Sequence, residues 1–253
     1  MAKRPLILVT NDDGITAPGI IALTEVMQTI GDVIVVAPNT PQSGMGHAIT
    51  INSTLHVEKI SDYQYSCSGT PADCVKIAIN EILDRRPDLC VSGINHGSNS
   101  SINVIYSGTM SAAIEAGIEG IPAIGFSNLN YKWEANFEAS KIHAKTIAQN
   151  VLKHGLAQGV ILNVNIPNID KNAIKGVKIC RQAGGNWKEE FDKRKTPQGK
   201  DYYWLTGKFE SNDKGEDTDI WALENGYVSV VPVQFDLTAH HCIKHLNSWD
   251  LNA

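Results

Sequence analysis

No apolar run in this chain approaches the roughly 18 consecutive residues a membrane-spanning helix needs. The run nearest the start, Leu6-Ile7-Leu8-Val9, is far too short for the apolar region of a secretory signal, and no small-residue cleavage site follows it. The expectation is a cytoplasmic protein with no membrane partner. Cysteine is sparse: Cys67, Cys74, Cys90, Cys180 and Cys242 are scattered, odd in number and form no CxxC pair. That excludes a disulfide framework or a zinc ribbon and leaves reduced, buried thiols. Basic charge is short as well, 22 Lys and Arg against 27 Asp and Glu, for a net charge of -5. A chain without a basic face lacks the electrostatic grip for duplex nucleic acid or anionic lipid. A small anionic ligand stays compatible, because a bound cation reverses the local sign. No GxGxxG follows the first apolar run, and neither a P-loop nor a GxSxG elbow occurs. Internal repeats and low-complexity tracts are absent too.

What is present is an ordinary globular composition, 42% apolar and 19% charged. At 253 residues the chain can build one large core, with on the order of three quarters of its unfolded surface buried. Leu6 to Val9 reads as a buried strand that stops at the turn Asn11-Asp12-Asp13-Gly14. Pro18 suits a first helical turn, and Ile20, Leu23, Met27 and Ile30 follow on one helical face. Val33 to Val36 is the next strand, so the opening is β-α-β with parallel strands. Thr40 to Gly46 reads as a loop, and Ala48 to Glu58 and Tyr63 to Ser68 as half-exposed strands. Helices are expected over Pro71 to Leu83, Ser107 to Gly117 and Phe137 to Lys153, and strands over Leu89 to Ser92, Pro122 to Phe126 and Val160 to Asn165. After about Ile174 the chain turns more polar. Strands are expected at Val177 to Arg181, Tyr202 to Leu205 and Val228 to Val233, a long arm or hairpin over Ala183 to Asp201, and a terminal helix over Thr238 to Leu246. The fold class is therefore α/β: a doubly wound, mostly parallel sheet in residues 1–174, with a smaller β-rich extension in 175–253, read together as a single domain.

In an open parallel sheet, ligands sit beyond the carboxyl ends of the strands. Three polar, glycine-punctuated segments begin at such ends: Asn11-Asp12-Asp13-Gly14, Ser43-Gly44-Met45-Gly46 and Gly93-Ile94-Asn95-His96-Gly97. Two carboxylates about 4 Å apart repel by roughly 4 kcal/mol at an effective dielectric of 20. A divalent cation removes that penalty, and oxygen ligands suit hard ions such as Mg²⁺ or Mn²⁺. Ser43 and Asn95 offer neutral oxygens. Tyr106-Ser107-Gly108-Thr109 opens a small-residue helix whose free N–H groups and hydroxyls suit an anion, although Ser107 or Thr109 could simply cap it. Gly69-Thr70-Pro71-Ala72-Asp73 opens another helix at the same end. His47 and His96 flank the loops as possible proton donors. His240, His241 and His245 have helical spacing but no matching acidic or Cys partner, and read as ordinary histidines.

Taken in order, these segments resemble the SurE family, the stationary-phase survival proteins. The segments that carry the resemblance are Asn11-Asp12-Asp13-Gly14 with Ala17-Pro18-Gly19, Val36-Ala37-Pro38 with Ser43-Gly44, and Gly69 through Val75. They continue through Ser92-Gly93-Ile94-Asn95, Tyr106-Ser107-Gly108-Thr109, Asp217-Thr218-Asp219 and Asp236-Leu237-Thr238-Ala239. The resemblance implies a metal-dependent 5'-nucleotidase with one divalent ion per subunit, Mn²⁺ or Mg²⁺, held by Asp12, Asp13, Ser43 and Asn95. It also implies a Rossmann-like core and a β-rich carboxy-terminal part that builds a homodimer or homotetramer by exchanging elements. The pattern departs at one place. Between Asn99 and Val104 the family usually has Leu-Gly and then acidic residues, where this chain has Ser100-Ser101-Ile102-Asn103.

The expected reaction is release of phosphate from nucleoside 5'-monophosphates, with 3'-nucleotides and short polyphosphate as further candidates. Asp12, Asp13 and Asn95 would be catalytic. Asn11, Gly44, Ser107, Gly108 and Thr109 would contact phosphate or substrate. A non-catalytic nucleotide-binding module on the same fold is the competing reading, disfavoured by the paired aspartates. An NAD-type oxidoreductase is disfavoured by the missing glycine fingerprint. Fold alone does not choose among these.

Overall fold

The structure is a computed structural model that describes residues 4–251, so the extreme ends of the single-domain reading, 1–3 and 252–253, lie outside it. The chain runs β1 (Leu6–Thr10), α1 (Pro18–Gln28), β2 (Asp32–Pro38), β3 (Val57–Ser61), β4 (Gln64–Cys67) and α2 (Pro71–Ile77). It continues β5 (Leu89–His96), α3 (Gly108–Ile118), β6 (Ala123–Asn128), α4 (Glu138–His154), β7 (Val160–Ile166) and β8 (Val177–Ile179). Last come β9 (Asn186–Lys195), β10 (Asp201–Glu210), α5 (Asp219–Glu224), β11 (Val228–Gln234) and α6 (His240–Leu246).

One nine-stranded sheet has the order β3-β4-β2-β1-β5-β6-β7-β11-β8. Its centre, β2, β1, β5, β6 and β7, is parallel. This is the expected doubly wound α/β fold. Side-chain alternation along β1 explains the two layers, because successive residues point to opposite faces. Ile7 and Val9 pack with Ile20, Leu23 and Met27 of α1 and Ala144 and Ala148 of α4. Leu8 points the other way, into Cys74 and Val75 of α2 and Met110 and Ala113 of α3. Each of these aliphatic side chains contributes on the order of 1.5–3 kcal/mol by burial. α3 approaches the sheet closely because its inner face is Ala112, Ala113 and Ala116, all fully buried.

The strands that follow Ile174 split. β11 enters the main sheet antiparallel to β7 and carries β8 parallel on its outer side. β9 and β10 form a separate antiparallel hairpin paired from Asp201↔Lys195 to Glu210↔Asn186, as the long-arm expectation required. Residues 48–56 contain no strand, against the expectation of one over Ala48 to Glu58; only Val57–Ser61 pairs. The reason lies in contacts with the start of α2. Thr50 N–H and Oγ1 bond the Asp73 carboxylate, and Ala48 O accepts from Thr70 Oγ1, so this segment bonds side chains instead of a neighbouring strand. The helix expected to Leu83 is regular only to Ile77 and closes with a π turn over Ala78–Ile82. No disulfide forms among the described cysteines, and four of the five are buried. Among the described residues no helix is long and apolar enough to cross a membrane.

Candidate metal centre

β1 ends at Thr10, and the chain leaves the sheet through Asn11, Asp12 and Asp13. Gly14, at φ +99°, makes the turn, and Asn11 Nδ2 braces it by donating to Gly14 O at 2.9 Å. The three polar loops do converge. Asp12 O accepts from Gln42 N–H at 2.7 Å, which joins the Ser43 loop to β1. Asp13 Oδ2 accepts from His96 N–H at 3.3 Å, which joins the Asn95 loop. Asp12 Oδ1 accepts from Thr109 Oγ1 at 2.5 Å, which joins the start of α3. Gly108 closes the contact. A Cβ added there would lie 2.6 Å from Asp12 Cβ and 3.0 Å from Oδ2, so only glycine lets the helix start touch this carboxylate.

The electrostatics are those of a site awaiting positive charge. Burial, joined by the neighbouring Asp13 charge and only partly opposed by the Thr109 bonds, pushes Asp12 up to about 7. Burial also raises Asp13, against the lowering effects of the His96 N–H and of the His96 ring charge. Among the described residues no Lys or Arg pairs with either aspartate. Asn11 Oδ1, buried beside them, has no hydrogen-bond partner, and neither do Thr10 Oγ1 at the end of β1 and Ser92 Oγ opposite it on β5. Asn95 donates Nδ2 to Gly97 O at 2.8 Å, which fixes its amide and leaves Oδ1 uncommitted. Ser43 and Gly44 are exposed on their loop. Two carboxylates without an internal cation, ringed by neutral oxygens, fit a hard divalent ion.

Other candidates resolve differently. Ser107 is the N-cap of α3: its Oγ accepts from Met110 N–H at 3.0 Å, and its hydroxyl proton is left to donate outward. Thr109 directs its hydroxyl to Asp12. Gly108 N–H, in the first turn, has no intrahelical acceptor. His47 bonds Glu115 at 2.7 Å. His96 bonds Lys132 O through Nδ1 and stacks on Trp133 with centroids 5.5 Å apart. Among the described residues no group of three or more His, Cys, Asp or Glu assembles, and His240 pairs with Asp236. The carboxy-terminal histidines therefore form no metal cluster.

The family model described as Survival protein SurE matches residues 7–189. The chain is 70% identical over 255 residues to a protein of Flavobacterium psychrophilum named 5'-nucleotidase SurE, with 99% of each chain covered. It is 59% identical over 250 residues to a protein of the same name from Cytophaga hutchinsonii, with 97% of this chain and 96% of the relative covered. The chain belongs to the SurE family. The crystal structure of the SurE protein from Aquifex aeolicus is similar throughout, with a TM-score of 0.86 at 42% identity, covering 96% of this chain and 98% of that one.

The family departure at 100–103 has a structural answer. Ser101, where SurE proteins usually carry glycine, adopts the left-handed conformation at φ +54°. That conformation costs a non-glycine residue about 1–2 kcal/mol. It is held by Ser101 N–H to Asp219 Oδ2 at 2.8 Å and Ser101 Oγ to Ala183 O at 2.8 Å. Asp219, fully buried, also accepts from Ala183 N–H at 2.9 Å. The Asp-Thr-Asp motif thus anchors the loop behind Asn95, a role that a contact across 118 positions hides from local reading. Sequence alone does not mark His96 N–H and Gly108 as contacts of the aspartates, although the small residue at 108 is a signal for close approach.

Proposed function

We propose that this chain is a metal-dependent phosphohydrolase that releases phosphate from nucleoside 5'-monophosphates, with 3'-nucleotides and short polyphosphate as further substrates. The observation that carries the reading is the Asp12–Asp13 pair just past β1, held against the start of α3 with no Lys or Arg partner among the described residues, in a chain so similar to relatives named 5'-nucleotidase SurE. Asp12 and Asp13 hold one Mn²⁺ or Mg²⁺ per subunit, with Ser43 Oγ and Asn95 Oδ1 as neutral ligands. When bound, the cation supplies Lewis-acid polarisation of the phosphoryl group. The Gly97 O contact occupies the Asn95 Nδ2 and leaves the amide oxygen available as a ligand. Gly108 N–H and the Ser107 hydroxyl donate to the equatorial phosphate oxygens, where charge stabilisation is most effective. Asn11 and Gly44 shape the rim. Asp13, less buried than Asp12, orients the attacking water.

The whole chain acts as one cytoplasmic domain, and the unit is a homodimer or homotetramer. Supporting this, Phe191, Tyr203, Trp204 and Leu205 stand exposed on the β9–β10 hairpin, and Ile243 and Leu246 on α6. Asp12→Asn tests the site. It should lower kcat/KM for nucleoside 5'-monophosphates by at least about a hundredfold, the order expected when a reacting centre loses its positioning. Full activity in this variant, with metal still bound, would sink the assignment.

A further inference from the structure

A second concavity lies beside the metal centre. It encloses about 460 Å³ between the loops that follow β5 and β6, the base of the β9–β10 hairpin and α5. That is within the usual size of a small-molecule site. Ser98 forms its near wall and is only three positions after Asn95. Three extended residues span at most roughly 11 Å, so the cavity and the metal ligands are neighbours. They are distinct, because neither aspartate lines the cavity.

Its walls combine flat rings with neutral polar atoms. Trp187 Nε1 donates to Asn103 Oδ1 at 2.7 Å, which fixes the indole plane. Phe209 meets Trp187 edge-on at 6.1 Å. Tyr131 lies over Gly97, where an added Cβ would come within 2.3 Å of its ring, and the rest of that ring is open to solvent. The polar wall is rigid. Asn99 N–H bonds Asn165 Oδ1 at 2.8 Å, Asn99 Nδ2 bonds Ser127 Oγ at 2.9 Å, and Asn163 Nδ2 bonds Asn99 O at 2.8 Å, so the Ser98–Ser100 turn is tied to β6 and β7. Asn103, on the lining, has given its oxygen to Trp187, so its Nδ2 remains as a donor. Asp213, also on the wall, is taken by Arg181 at 2.6 and 2.9 Å. Lys214 and Glu224, also on the lining, carry opposite charges. With its charges balanced and its walls made of flat rings and neutral polar groups, the cavity suits a flat, uncharged heterocycle with acceptors along its edge.

We propose that this cavity is the base subsite: it takes the nucleobase of the nucleotide whose phosphate sits at the metal centre, by stacking on Tyr131 and Trp187 and by a hydrogen bond from Asn103 Nδ2 to an acceptor on the base edge. The assignment rests on the nucleotidase reading for the identity of the ligand, but its test does not depend on turnover. Adenosine 5'-monophosphate and ribose 5-phosphate share sugar and phosphate and differ by the base. Both would be titrated by ligand-observed NMR in EDTA, against the wild-type chain, Tyr131→Ala and Asn103→Asp. Asn103→Asp keeps an acceptor for Trp187 and removes the donor. The wild type should prefer the nucleotide over the sugar phosphate. Tyr131→Ala should cut that preference at least about fivefold, the worth of one base–aromatic stack, and Asn103→Asp should also reduce it. A preference absent in the wild type, or unchanged in both variants with circular dichroism intact, overturns the subsite. Failure of the nucleotidase reading is seen separately, as no phosphate release from nucleotides by the metal-loaded wild type.

Discussion

The contact between Gly108 and Asp12 makes the sharpest single prediction. Gly108→Ala adds one methyl group and keeps the backbone N–H, so it removes no donor from the anion site. The position is helical with an ordinary backbone, so alanine there gains up to about 1 kcal/mol of helix propensity. Against this, the new Cβ would lie 2.6 Å from Asp12 Cβ. That atom sits next to the backbone at the end of a buried strand and cannot swing aside as a side-chain tip would. Overpacking of this kind costs about 1–3 kcal/mol. The two terms nearly offset, leaving a destabilisation of about 0–2 kcal/mol. At about 2–4 °C per kcal/mol for a chain of this size, the melting temperature falls by at most roughly 8 °C. The site suffers more, because a displacement of order 1 Å costs about a hundredfold in rate. The assay is phosphate release with Mn²⁺, together with a metal-binding titration and a thermal melt. The reasoning predicts a folded variant with weakened metal affinity and kcat/KM down by one to two orders of magnitude, about 10- to 100-fold. Wild-type activity and metal affinity in Gly108→Ala would refute it, because Asp12 could then not need its position.

Two further predictions concern the scaffold. Burial alone would raise Asp73, but the bonds from Thr50 and Thr70 together outweigh it and hold the carboxyl below its ordinary value of 3.8. Its contribution to stability is therefore complete above about pH 4 and is lost as pH falls through the lower folded value. Asp73→Asn should be less stable at neutral pH and show a shallower acid limb in denaturant midpoints measured from pH 6 to pH 2. An unchanged acid limb would count against this role. Glu115 is buried, accepts from Lys76 Nζ at 2.5 Å and meets His47 Nε2 at 2.7 Å. With Lys76 and His47 partly exposed, Glu115→Gln should cost about 1 kcal/mol and roughly 2–4 °C of melting temperature, read by calorimetry; no change would mean the cluster is screened out.

Much of the architecture was legible because it is written locally. Leu6 to Val9 alternates between two buried layers and stops at a turn. Pro18 opens a helix, and the Asp12-Asp13 step falls where a parallel strand must end. What escaped was non-local. β11 pairs antiparallel with β7 across some 65 positions of sequence, Val230 opposite Val164, and nothing in either segment sets that direction. Ala48 to Glu58 has strand-like residues, yet Asp73 captures Thr50 and ends the competition. α5 is one and a half turns capped by Thr218, too short for a period to register. At the centre itself, residue types pointed to the aspartates and to the neutral oxygens of Ser43 and Asn95. Only the fold reveals which of the two hydroxyls does what: Ser107 caps its helix, and Thr109 serves Asp12.

The most direct measurement is phosphate release by the purified chain from a panel of nucleoside 5'- and 3'-monophosphates, with Mn²⁺, with Mg²⁺ and with EDTA. The account predicts release that requires a divalent ion, is abolished by EDTA, and is lost in Asp12→Asn. Release undiminished by EDTA, or none with either metal from well-folded protein, would contradict it.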